Sequence, residues 1–211
     1  LAFSTSALLR VLVQDTLLSI PFTQMRSVDM SFTANVEPSR ALRIQLDARR
    51  SATGNYQELF RVTPDVNDVW RYEGVNPARS GNFSITTWSF LTAFTKEGDN
   101  NQSAIFDTFV ENLDIMKNRL DQVNPDPEIS YARRSQDVMI PAFIAAYTGK
   151  DARTHATSAF PKFPLPGWRI DFSGLNKIPA IAEIFSNVSI NHSYSSTYSI
   201  TNYTNSLLYD E

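Results

Sequence analysis

Between Asn187 and Thr201 the odd positions from 189 to 201 are all small and polar, while Val188, Ile190, Tyr194, Tyr198 and Ile200 occupy even ones. A period of two describes a strand whose faces meet two different surroundings. At ~3.3 Å per residue it would extend roughly 45 Å, far beyond an ordinary strand of about 5–6 residues and more than the ~10 that cross a tilted outer-membrane wall. The same alternation recurs upstream, where Val28, Met30, Phe32 and Ala34 interleave with Asp29, Ser31 and Thr33, and Leu42, Ile44, Leu46 and Ala48 with Arg43, Gln45, Asp47 and Arg49. In a membrane barrel the apolar parity, Leu42, Ile44, Leu46, Val188, Ile190, Tyr194, Tyr198 and Ile200, would face lipid. The polar parity, Arg43, Gln45, Asp47, Ser189, Asn191, Ser193 and Ser195, would face the lumen.

Between the two upstream runs lies Glu37-Pro38-Ser39-Arg40, whose proline presets a turn and removes a ladder donor, so the pattern predicts an antiparallel hairpin. Further on, Phe83 and Ile85 are odd but Trp88, Phe90 and Phe94 even, which predicts a bulge near Thr86-Thr87. Tyr56 to Val62 reads as a shorter strand with a turn before it at Ser51 to Asn55, Trp70 as loop, and Trp168 to Phe172 as another alternating strand. About six strands result. Residues Ser6 to Ile20 are apolar at too many positions to separate a buried helix from a strand.

Two helices interrupt the strands. Phe106, Phe109, Val110, Leu113, Met116 and Leu120 fall on one helical face, with Asn101 or Ser103 as N-cap. A second helix is predicted from Asp137 as N-cap to Tyr147, with Pro141 near its first turn and Gly149 ending it in a left-handed conformation; a third, shorter turn covers Ile178 to Phe185. Such faces are more often ordinary packing than a gate. Phe160-Pro161-Lys162-Phe163-Pro164-Leu165-Pro166 reads as a rigid packed connector rather than a polyproline ligand.

The chain has 211 residues, 42% hydrophobic and 12% aromatic, with 19 basic against 22 acidic side chains and no cysteine. This is an ordered chain with no basic stripe for nucleic acid, no ~18-residue apolar run for a membrane helix, no disulfide scaffold and no thiolate metal site. It begins at Leu1 without an initiator methionine or signal-peptide pattern, as an excerpt of a longer protein would.

Asp137-Val138-Met139-Ile140-Pro141-Ala142-Phe143-Ile144-Ala145-Ala146-Tyr147-Thr148-Gly149-Lys150-Asp151, Pro164-Leu165-Pro166-Gly167-Trp168-Arg169, Ser173-Gly174-Leu175, and His192-Ser193-Tyr194 with Ser196-Thr197-Tyr198-Ser199 resemble the SprA family, also called Sov. Val36-Glu37-Pro38 with Leu42-Arg43, and Gly81 to Ile85 with Thr92 to Phe94, are similar to it in the same order, so the resemblance covers roughly residues 28–203. Gly167 departs from it, since asparagine is expected before the tryptophan; a looser local backbone would result. The resemblance implies the outer-membrane translocon of type IX secretion in Bacteroidetes, a single-chain β-barrel at the cell surface that exports folded cargo and serves gliding motility. Its implied partners are secreted cargo proteins, an accessory barrel of the PorV type, a periplasmic plug protein, membrane lipid and the rest of the same long chain.

The expected fold is thus mainly β: an arc of a very large antiparallel transmembrane barrel with helical loop insertions. Residues 1–27 form an unassigned apolar lead-in, 28–95 and 168–211 barrel strands, and 96–167 a helical, extracellular insertion opposite the Pro38 turn. Six strands cannot close a membrane barrel, which needs at least ~8, so neighbouring strands must complete it. The family rather than this chain supplies a strand number of about 36, for a bore on the order of 70 Å.

Chemistry is sparse. His155 and His192 have no Asp, Glu or Cys at ligand spacing; Asp65, Asn67 and Asp68 lack the glycine and glutamate of a calcium loop; no nucleophile, phosphate or dinucleotide motif is present. No enzyme activity, cofactor, metal or nucleic-acid partner is therefore expected. The alternatives are a soluble β-sandwich binding glycan or protein, and a plugged uptake barrel.

Overall fold

The computed structural model describes residues 20–64, 70–99, 102–124, 128 and 130–205. Six strands, β1 (Phe22–Ser39), β2 (Leu42–Pro64), β3 (Trp70–Thr86), β4 (Gly167–Phe172), β5 (Ile190–Tyr194) and β6 (Thr197–Asn205), form one antiparallel, open sheet. Helices α1 (Ala104–Val123) and α2 (Gln136–Tyr147) lie between β3 and β4. A 3-10 turn (Gly174–Lys177) and the short α3 (Pro179–Ala182) join β4 to β5.

The predicted hairpin forms, with Arg40 and Ala41 between β1 and β2. Its strands are longer than their alternation suggested: β2 runs 23 residues, roughly 75 Å at ~3.3 Å each. No turn interrupts it at Ser51–Asn55, because those residues pair with β1 on one side and β3 on the other. Tyr56 to Val62 is the continuation of β2, and Trp70 is paired with Pro64 at the start of β3 rather than in a loop. Ladder hydrogen bonds on both edges outweigh the turn propensity of Gly54 and Asn55. β1 begins at Phe22, inside the segment left unassigned. Residues Ser6 to Ser19, the alternative cap Asn101, and the acidic cluster Asp65, Asn67 and Asp68 lie outside the described residues.

Register reduces the six strands to four rows. Arg50 of β2 pairs with Ile85 of β3, and Asp47 with Gly167 of β4. β3 and β4 therefore continue one row, opened at the single position opposite Ala48. The next row bridges that opening: Trp168 pairs with Tyr194 and Thr86 with Thr197, leaving Ser195 and Ser196 in step across the break. The single strand expected from Asn187 to Thr201 is thus two, β5 and β6, which keep one row across Ser195 and Ser196, while residues 187–189 precede β5.

Residues 87–166 are thus inserted within a strand rather than between strand ends. The parity change after Thr86 marks this departure, not a bulge: the chain leaves the sheet, held by Thr87 N–H to the Ser196 carbonyl at 3.0 Å and Leu165 N–H to the Thr86 carbonyl at 2.9 Å. Register shifts lie elsewhere: between Val36 and Ser39, between Gln57 and Leu59 where Asn76 opposite takes φ 53°, and between Gly81 and Phe83, where Asn202 takes φ 53° and its N–H reaches Asn82 Oδ1 at 3.0 Å.

Ser103 caps α1, its hydroxyl accepting from the Phe106 amide at 3.3 Å. The cap of α2 is Ser135, so Asp137 is buried in the first turn, and Pro141 sits deeper in the helix than its spacing suggested. Gly149 follows α2 at φ +67°, the left-handed stop expected of it. Leu113, Met116 and Leu120 of α1 pack with Val138, Ala142 and Ala145 of α2, giving the insertion a core of its own. Arg119 ties the chain after α2 to α1, donating 2.6 Å hydrogen bonds to the Ala152 and His155 carbonyls.

Candidate functional site

The feature that sets this chain apart is a sheet with two unlike faces. Because β1 and β2 pair even with even, and β2 and β4 even with even, their apolar parities converge. One face carries Phe32, Ala34 and Val36 beside Leu42, Ile44 and Leu46, then Trp168, Ile170 and Phe172, then Ile190, His192 and Tyr194. The other carries Ser31 and Thr33, Arg43, Gln45 and Asp47, Arg169 and Asp171, Asn191 and Ser193. On the polar face Asp47 accepts from Thr33 Oγ1 and Gln45 Nε2, both at 2.9 Å, and Arg43 Nε meets Glu37 at 2.8 Å.

Of the apolar candidates, Leu42, Ile44, Leu46, Ile190, Tyr194, Tyr198 and Ile200 share the apolar face. Tyr198 and Ile200 are nevertheless covered: they border a cluster in which Phe160 of the insertion meets Phe83 at 5.2 Å and Tyr203 at 4.8 Å. Val188 precedes β5, its N–H bonded to Asn176 Oδ1 at 2.6 Å, and so belongs to the connector. Among the polar candidates, Arg43, Gln45, Asp47, Asn191 and Ser193 share the polar face. Ser195 keeps that parity at the level of the break, and Ser189 lies just before β5.

Sequence reasoning missed Tyr203 and Phe160 as partners. Tyr203 is odd-numbered, and only the extra residue at Asn202 returns it to the apolar face. There it covers Gly81, where an added Cβ would lie 2.0 Å from the Thr53 carbonyl oxygen and 2.7 Å from the Tyr203 hydroxyl. Gly167 also has a steric role: its Cβ would meet the Tyr194 carbonyl at 2.7 Å, so glycine permits close approach of β4 to the next row.

The apolar face therefore has two parts. Beyond Arg50 the insertion covers it, with Arg50 above the Phe83 ring at 5.3 Å and donating to the Pro161 carbonyl at 3.0 Å. From Leu42 to Leu46 its side chains are half-buried, and it is open at its β1 margin, where Phe32 and Val36 are exposed. At the border stands an aromatic group: Trp168 stacks on Tyr194 at 4.7 Å, Trp88 meets Trp168 edge-on at 6.5 Å, and Phe90 meets Tyr194 at 5.8 Å. Every polar handle in it is engaged, Trp168 Nε1 by His192 Nδ1, Trp88 Nε1 by the Pro166 carbonyl, and the Tyr194 hydroxyl by the Ser89 amide.

Charge in the insertion is spent on structure. The Asp121 carboxylate accepts from Lys117, the Ser130 hydroxyl and the Tyr131 amide, and the Lys117 ammonium first, then the amide, hold its pKa below the ordinary value. Burial, aided by Lys150 and Arg119, lowers that of His155. Among the described residues no three His, Asp or Glu side chains gather as a metal site, and no helix is long and apolar enough to cross a membrane, which says nothing of strands. No protein-family model matches the chain, and no curated protein is found to be similar to it.

Proposed function

We propose that this chain is an arc of the wall of an outer-membrane, protein-conducting β-barrel, of the type IX secretion kind that its sequence resembles. The observation that carries the reading is the two-faced sheet: four long rows with apolar positions converging on one side and polar positions on the other, the division between lipid and lumen that barrels require. Among the described residues β1 pairs only with β2, β5 only with β4 and β6 only with β3, so further strands must complete the wall, since open edges are intolerable in lipid. The short Arg40–Ala41 turn then marks the periplasmic end, and the insertion, seated farther along β2, the cell-surface side.

In this reading the work is done by the bore, its gating and its lateral contacts, with cargo, lipid, a PorV-type barrel and a periplasmic plug as partners, and with no catalytic side chain or cofactor. Fractionation of the source cells, followed by sizing of solubilised material, tests it. Recovery from the outer membrane in a chain several times this length supports the wall; recovery as a soluble 23.8 kDa monomer overturns it.

A second reading, a soluble two-layer domain binding glycan or protein, draws on the insertion's own contacts with Phe83 and Ile85 of the apolar face. It must still supply a cover for the part between Leu42 and Leu46.

A further inference from the structure

We infer that the insertion stands outside the barrel, on the lipid side of the wall, and rests the two segments connecting it to the sheet on the surface of the bilayer. The inference rests on the wall reading and adds to it where the insertion projects and what it touches.

Its direction follows from the faces. The ring and cation contacts that seat the insertion on the sheet, Phe160 on Phe83 and Tyr203, Phe143 on Tyr198 and Arg50 on the Pro161 carbonyl, are made with the apolar face, while Gln136 of α2 accepts from the Thr204 amide of β6 at 2.7 Å. In a barrel whose polar face lines the bore, an element on the apolar face leaves the conduit clear and occupies the space beside the wall. That space is bilayer, which fixes the occupant as lipid rather than cargo.

The surface of the connecting segments fits that occupant. Leu91 is 69% exposed, Phe94 89% and Phe163 79%, with Trp88 and Phe90 partly exposed beside them. Five large apolar side chains next to one gap in one strand are more than scattered surface residues. They are continuous with the open apolar face, because Trp88 touches Trp168 and Phe90 touches Tyr194. Both indole donors are paired within the protein and the tyrosine hydroxyl accepts from the Ser89 amide, so the rings can enter a medium without water and leave no indole donor unpaired. Aromatic rings favour the boundary between headgroups and acyl chains, and the exposed Lys162 beside Phe163 can extend its ammonium to headgroup phosphates.

Spin labels in the native full-length protein, reconstituted in phospholipid nanodiscs, read this directly. Cysteine, absent from this chain, is introduced as Phe94→Cys or Phe163→Cys, with Ile190→Cys on the open apolar face and Ser193→Cys on the polar face as references. The first two positions are so exposed that no packing is lost. The expected result is a shift of collisional access at 94 and 163 from an aqueous nickel complex toward dissolved oxygen, as at 190 and unlike 193. Nickel access at 94 and 163 with oxygen access at 190 overturns the inference and leaves the wall intact; nickel access at 190 as well overturns both. Labels at 94 and 163 shielded from both reagents by a co-purifying protein also overturn it, and name a protein as the lateral occupant.

Discussion

Phe160→Ala should release the insertion from the sheet without unfolding either. Phe160 is 7% exposed, lies between Phe83 and Tyr203, and is the largest side chain that the insertion places in the cluster it shares with the sheet. A phenylalanine buries about 150–250 Å², or ~4–6 kcal/mol at ~25 cal/mol per Å², and truncations of buried phenylalanine cost about 3–5 kcal/mol once the cavity partly closes. Taking ~4 kcal/mol, the equilibrium between seated and lifted insertion falls about a thousandfold. The loss should be confined to docking, because the core formed by Leu113, Met116, Val138 and Ala142 lies away from Phe160. Hydrogen exchange is the assay: the Leu165 amide, bonded to the Thr86 carbonyl, and amides along β6 should lose protection, while those in the middle of α1 keep theirs. Val123→Ala, at an exposed position at the end of α1, is the control and should change little. Equal exchange in the two variants would refute the claim that this cluster seats the insertion.

On the sheet itself, Ile170→Arg, level with Ile44 between the Arg40–Ala41 turn and the Trp168 border, should cost about 2–4 kcal/mol near mid-bilayer, while Ser193→Arg on the opposite face should be tolerated; equal yields of both in the outer membrane would sink the wall reading. Gly81→Ala places a Cβ against the Thr53 carbonyl and the Tyr203 hydroxyl, and should lower stability by about 1–3 kcal/mol in thermal melts of the purified protein. Because the Asp121 pKa is held below 3.8, its ionised form stabilises the fold at every pH above that value, and the contribution is lost as pH falls through the depressed native value. Protection of the Tyr131 amide should therefore stay level from neutrality to about pH 4 and drop below it, whereas Asp121→Asn should have reduced protection already at pH 6 and lack that drop.

Much of the sheet was legible along the chain because strand faces are written at a period of two. Leu42 to Ala48 and Ile190 to Ile200 announced their parity, and the register carried those parities to one side without exception. The helices were legible for the analogous reason, with Ser103 and Gly149 at their ends. The length of β2 was not, since turn-prone Gly54 and Asn55 lie within it and only ladders on both edges keep them extended. The site was half legible: the candidates on each parity shared a face, but Val188 fell in a connector and Tyr198 and Ile200 lay under the insertion.

The sequence by itself determined that this is a two-faced β chain interrupted by a helical segment, because alternation and helical spacing are local properties that each stretch carries alone. Tertiary structure alone decided that β3 and β4 are one row opened opposite Ala48, that the insertion leaves from within that row, and that Phe160 and Tyr203 meet over Phe83. Those facts depend on pairings between residues more than a hundred positions apart, as between Gly81 and Tyr203, and on one positive φ at Asn202 that changes the parity of the residues after it. No local pattern encodes such a pairing; it arises when strands dock and bury surface together.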